Sequence, residues 1–171
     1  MKTLIICLIN FCILTSFKSV DNQILVRGHH LADNIEDAAV FYAEVLGLEN
    51  MTILIYFSPL LPKDMNGYTL YEEKPEYNSK TALIRINSTQ HLSGILITLA
   101  HEMVHVHQFS LGNLVHHANN HYSWKGKNYY NITNIDYQAR LWEKEALNLE
   151  RDLFERYLKS AKNMTFLAIN E

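Results

Sequence analysis

Ile95-Leu96-Ile97-Thr98-Leu99-Ala100-His101-Glu102-Met103-Val104-His105-Val106-His107-Gln108 is the stretch on which the reading of this chain turns. It contains no Gly and no Pro, and it is apolar on every side. That predicts a buried helix from about His91 to Phe109, capped by Ser88 or Thr89 and ended before Gly112. Two histidines and a glutamate in such a helix cost free energy unless something partners them. Residues four apart share one helix face, one turn apart, so the imidazoles of His101 and His105 point the same way. Such a pair suits a single tetrahedral Zn²⁺ with Zn–N bonds of about 2.0–2.1 Å. Glu102 points about 100° round the helix from His101. Its carboxylate then reaches a metal-activated water rather than the metal, where it serves as general base. The competing reading is a partly exposed helix whose His and Glu face water. It leaves the preceding run Ile95–Ala100, continued by Val104 and Val106, without a cause.

Outward from this helix the chain alternates short elements. Asn34 to Leu46 reads as a helix capped by Asp33 or Asn34, with Ala38, Ala39, Phe41, Tyr42, Val45 and Leu46 on its apolar face and Gly47 at its end. Met51–Phe57, Tyr68–Tyr71 and Thr81–Ile86 are β-branched and aromatic and read as strands. Ser58 to Gly67 reads as a loop. Residues 113–135 are polar and aromatic and read as irregular, with a tight turn at Trp124–Lys127. Gln138 to Leu158 reads as a long amphipathic helix, with Leu141, Trp142, Ala146, Leu149, Leu153, Phe154 and Leu158 near a 3.6-residue spacing. The expected class is α+β: a small sheet beside two main helices in one domain, residues 21–171.

The long helix carries the best source of a third ligand, in Trp142-Glu143-Lys144-Glu145-Ala146. A carboxylate from a second helix would complete a His₂Glu site and leave one position for water. The bland alternative is a solvated helix face, against which Trp142 and Ala146 argue. Both cysteines, Cys7 and Cys12, lie in an N-terminal run in which Lys2 precedes the apolar Leu4–Leu14. That run reads as an export signal over residues 1–20, too short for a comfortable membrane span. The exported chain would then hold no cysteine, so ligands must be His or carboxylate. A net charge of −3 provides no basic field for nucleic acid. His107 lies about 200° from His105 and faces away from the pair. His116, His117 and His121, and Tyr129, Tyr130 and Tyr137, are candidates for a group that stabilises an oxyanion, with no spacing to choose among them. His29 and His30 read as surface residues.

His101-Glu102-Met103-Val104-His105-Val106-His107-Gln108 resembles the HExxHxxQ stretch of gluzincin-type bacterial and phage peptidases. Trp142-Glu143-Lys144-Glu145-Ala146 resembles the W-E-x-E-A segment that follows it in a family of small metallopeptidase-like proteins. Trp124-Lys125-Gly126-Lys127-Asn128-Tyr129 and Tyr137 are similar to that family too, and the likeness covers roughly residues 95–150. It implies a zincin-like fold, with a small sheet beside the HExxH helix and a long C-terminal helix. It also implies that Glu143 is the third zinc ligand, with Glu145 as the alternative. Leu147 stands where the gluzincin E-x-x-A-D pattern has Asp, the residue that orients a ligand histidine. The function implied is zinc-dependent hydrolysis of a peptide or protein substrate. The rivals are a zinc-binding structural or interaction protein without turnover, and an exported interaction domain without metal.

Overall fold

The apolar alternation of Thr52–Ser58 and Ser79–Asn87 builds the centre of a four-stranded sheet in the computed structural model, which describes residues 22–62, 65–74 and 79–169, with side chains to 161. The expected export segment, residues 1–20, lies outside the described residues. The strands are β1 (Gln23–Arg27), β2 (Thr52–Ser58), β3 (Gly67–Lys74) and β4 (Ser79–Asn87), in the order β1-β2-β4-β3. β1, β2 and β4 are parallel, and β3 pairs antiparallel with β4, from Gly67 opposite Ile86 to Lys74 opposite Ser79. β3 is therefore an edge strand, and it lies against the helix that carries His101 and His105. Ile53, Ile55, Ala82, Ile84 and Ile86 turn one face of the sheet inward, while Arg85 and Tyr56 point out to water.

Two helices cover that face. α1 (Ala32–Leu46) packs Ile35, Ala38, Ala39 and Tyr42 into the core, and α2 (Leu92–Ser110) adds Ile95, Leu99, Met103 and Val106. A third helix, α3 (Leu141–Ile169), lies over α2 and contributes Ala146, Leu153 and Tyr157 to the same core. α2 is thus sandwiched between the sheet and α3, which is why its sequence is apolar all round. The Tyr157 hydroxyl donates to Asn34 O at 3.4 Å and fastens α3 to the start of α1. The architecture is α+β, and among the described residues no helix is long and apolar enough to cross a membrane.

Several local expectations need correction. β1 went unread, because its five residues QILVR are too short to show a period. α1 starts at Ala32 rather than Asn34; Leu31 occupies the cap position with no side-chain bond, and Asp33 sits in the first turn. α2 is preceded by His91, not capped by Ser88 or Thr89; Thr89 is instead bound through its N–H and hydroxyl to Asn87 Oδ1. α3 starts at Leu141, after a 3₁₀ turn at Tyr137–Ala139, and runs past Leu158. Leu141, Leu149 and Leu158 are exposed, because the seam toward α2 follows Trp142, Glu143, Ala146, Leu153 and Tyr157.

The largest correction concerns residues 113–135. They form a three-stranded antiparallel sheet, β5 (Leu114–His117), β6 (His121–Trp124) and β7 (Lys127–Tyr129), followed by a 3₁₀ turn at Ile132–Asn134. Asn119 and Asn120 both take positive φ in the β5–β6 connection, a conformation Asn tolerates better than most residues. Lys125 (φ 47°) and Gly126 (φ 79°) make the tight turn expected there, with positive φ at both central residues. Leu114, Trp124, Ile132 and Trp142 bury together in a second, smaller core that fastens this sheet to the start of α3.

Candidate metal centre

α2 presents His101 and His105 on its α3-facing side, and α3 crosses it antiparallel with Glu143 opposite. The two Nε2 atoms lie 3.1 Å apart. Each is 3.2 Å from the same carboxylate oxygen, Glu143 Oε2. All three residues are buried, and they form the one group of three or more His, Cys, Asp or Glu found among the described residues that could hold a metal ion. Ligand atoms around a tetrahedral ion with bonds of about 2.0 Å sit ~3.3 Å apart. The observed spacing fits that arrangement.

Each histidine is held by its other nitrogen. His101 Nδ1 is 2.8 Å from Glu150 Oε2, a carboxylate that can only accept, so Nδ1 carries the proton. His105 Nδ1 is 2.8 Å from Gln108 Oε1. Gln108 is itself locked, since its amide nitrogen donates to Trp142 O at 3.0 Å and to Glu145 Oε2 at 2.9 Å. Both imidazoles are thereby fixed with their Nε2 atoms turned toward Glu143, the arrangement found around bound metals. The Asp that the resemblance placed at Leu147 is not needed. Seven residues make almost two helical turns, so Glu150 returns to the face of Glu143, and helix side chains lean toward the N-terminus, back toward His101.

The electrostatics favour a cation between these groups. Burial pulls the His101 pKa down, but its hydrogen bonds to Glu143 and Glu150 and the charges of Glu102 and Glu143 outweigh it and push it up to about 10. Burial raises the Glu143 carboxyl, yet the bonds from His101 and His105 hold it well below the usual carboxylate range. Glu102 is pushed up by burial, partly offset by the two imidazoles and by Thr69.

Glu102 stands beside the triad without joining it. Its Oε2 accepts from Thr69 Oγ1 at 2.8 Å, and the same hydroxyl lies 3.2 Å from the Glu102 carbonyl. β3 can come this close only because its first residue is Gly67. A Cβ there would lie 2.7 Å from Thr98 Cγ2 and 3.0 Å from both Arg85 O and Glu102 Oε1. The Tyr137 hydroxyl, from the 3₁₀ turn, is 3.1 Å from His101 Nε2. Burial, and then the Glu143 charge, raise the phenol's pKa above its ordinary value and keep it a neutral donor.

Two pockets open onto the centre. One, of about 220 Å³, lies between β3, α2 and the second sheet and reaches Glu102, His105 and Glu143. The other, of about 400 Å³, reaches His101, Glu102 and Glu150, and Tyr137 borders both.

The remaining candidates are elsewhere. Glu145 is bound by Gln108 and by Lys125 Nζ at 3.1 Å, so it supports the site from behind. His107 is half-buried and outside the cluster. His116 stacks on Tyr122, and His121 stacks between His117 and Tyr130 on the second sheet. Tyr129 packs edge-on against Trp142. His29 stacks on His30 and packs at a tilt against Phe57 near the ends of β1 and β2. Four contributors were not foreseen: Glu150, Thr69, Gly67 and the role of Gln108. Of these, only Gln108 carried a signal, standing three residues past His105 on the same face.

No family model matches this chain, and no curated protein matches it.

Proposed function

We propose that this chain is a zinc-dependent hydrolase of the HExxH type, zincin-like in arrangement, that cleaves peptide bonds. The observation that carries the reading is the convergence of His101 Nε2, His105 Nε2 and Glu143 Oε2 within 3.2 Å, with the Glu102 carboxylate buried alongside and two pockets leading in. A ligand set of two imidazoles and one carboxylate suits zinc and leaves a position open, whereas closed structural zinc sites are built mostly on cysteine. Zinc there would polarise a carbonyl and bring the pKa of a water toward 7.

The protein's own groups then divide the work. Thr69 occupies Glu102 Oε2 and leaves Oε1 to take a proton from the attacking water and return it to the leaving amine. Burial raises the carboxylate's basicity for that task. Tyr137 is placed to donate to the oxygen on which negative charge develops. β3 is an edge strand with its outer side unpaired among the described residues, and Gly67, Tyr68 and Thr69 line the cleft. An extended peptide can add to that edge by backbone hydrogen bonds and so be laid across the centre. The openness of the centre on two sides speaks against a metal that only holds the fold together.

The test is the metal content of the purified chain, by elemental mass spectrometry, beside hydrolysis of a quenched peptide library by the parent and Glu102→Gln. About one equivalent of zinc in both, with hydrolysis abolished in Glu102→Gln, is expected. Full activity in Glu102→Gln sinks the mechanism, and a parent that takes up no zinc sinks the metal assignment.

A further inference from the structure

The smaller pocket holds one permanent cation, and no carboxylate among the described residues pairs with it. Among its lining residues Arg140 is the only Lys or Arg. The walls are otherwise mainly apolar and aromatic, with Phe109, Leu114, Tyr122, Ile132 and Trp142, and the floor is His105, Glu102 and Glu143. Arg140 is held in place from behind: Nε donates to Ile135 O at 3.3 Å and Nη2 to Ile132 O at 3.1 Å. Its guanidinium lies over the Tyr137 ring, 5.5 Å from the centroid. A guanidinium carries more N–H donors than these two bonds use. No carboxylate among the described residues lies within ion-pair distance of it.

A half-buried guanidinium, oriented by two carbonyls and left without a counter-ion beside an open cleft, is suited to bind an anion with its spare donors, and the planar fork matches the carboxylate that a peptide can carry. The pocket's volume is below the roughly 300–1,000 Å³ of sites that enclose a drug-sized ligand, so it takes a fragment of a substrate. We infer that this pocket receives the substrate residue next to the scissile bond, and that Arg140 binds a carboxylate carried by that residue. The inference rests on the peptidase reading and names its substrate class: peptides presenting a carboxylate beside the cleaved bond, either the chain-terminal carboxylate or an acidic side chain.

Trp142 lines the pocket, so its fluorescence reports binding whether or not turnover follows. The purified full chain is titrated with three N-acetylated dipeptides: one ending in phenylalanine with a free carboxylate, the same peptide as a carboxamide, and one ending in glutamate carboxamide. The free acid should bind about tenfold or more tighter than the phenylalanine carboxamide, as a charge-assisted hydrogen bond provides. The difference should collapse in Arg140→Gln and survive in part in Arg140→Lys. Tight binding of the glutamate carboxamide names the side chain as a source; weak binding leaves the chain terminus alone. Equal affinity for all three peptides in the parent overturns the inference, as does a preference for a carboxylate that persists in an Arg140→Gln protein with the parent's circular dichroism. Should Arg140→Gln fail to fold, the parent and Arg140→Lys comparison still decides. Peptide hydrolysis without any acid preference sinks this inference and spares the hydrolase reading. Acid preference that depends on Arg140 in a chain that hydrolyses no peptide sinks the hydrolase reading and keeps Arg140 as a carboxylate-binding group.

Discussion

Replacing Glu150 by Ala removes the carboxylate that orients His101 without touching any atom of the triad. The bond is 2.8 Å long, between a His101 side chain that is 9% exposed and a Glu150 side chain that is 20% exposed. Hydrogen bonds to charged groups contribute ~1.5–3 kcal/mol, and partial exposure of the carboxylate puts this one at the lower end. The loss should be about 1.5–2 kcal/mol of zinc binding, a drop of ~10–30-fold in affinity, within the range known for groups that orient metal ligands. Competition with a chromophoric zinc chelator measures it, with His101→Ala as the control that loses the ligand outright. Glu150→Gln keeps an acceptor but not the charge and should fall between parent and Glu150→Ala. Leu147→Asp should change affinity by less than about twofold, because Nδ1 of His101 is already engaged. The reasoning fails if Glu150→Ala binds zinc within about twofold of the parent while His101→Ala does not.

Other substitutions probe the rest of the site. Tyr137→Phe should keep its zinc and lose about 10²-fold in kcat, the scale of one donor to a developing oxyanion; an unchanged kcat with a peptide substrate removes Tyr137 from that role. Gly67→Ala forces a Cβ to within 2.7 Å of Thr98 Cγ2 and should destabilise the fold by ~1–3 kcal/mol, read as a lower denaturation midpoint; an unchanged midpoint would show that β3 shifts freely. Zinc held at 100 times its Kd stabilises by ~2.7 kcal/mol, so a chelator should lower the parent's Tm by about 5–10 °C. In His105→Ala the same chelator should do nothing, and an equal shift there would place the metal elsewhere.

The sequence by itself determined what local chemistry can encode. The four-residue spacing of His101 and His105 set both imidazoles on one helix face, and the apolar residues around them required that face to be buried. Trp142 and Ala146 marked the stretch of α3 that meets it. Strands β2, β3 and β4 and the turn at Lys125–Gly126 were legible for the same reason, since β-branched runs and turn residues act over a few positions. What only the tertiary structure decided are relations between distant segments. The register of α3 against α2 chose Glu143 over Glu145, sent Gln108 between them, and brought Glu150 rather than residue 147 to His101. Thr69 reaches Glu102 because β3 lies at the sheet edge over α2, with a glycine at its closest approach. Strands β5, β6 and β7 looked irregular because their three or four residues are too few to show a period. They hold their shape through a shared core with Trp142 rather than through any pattern of their own. Tyr137 and Arg140 gain their positions from that same core, and no spacing along the chain points to either.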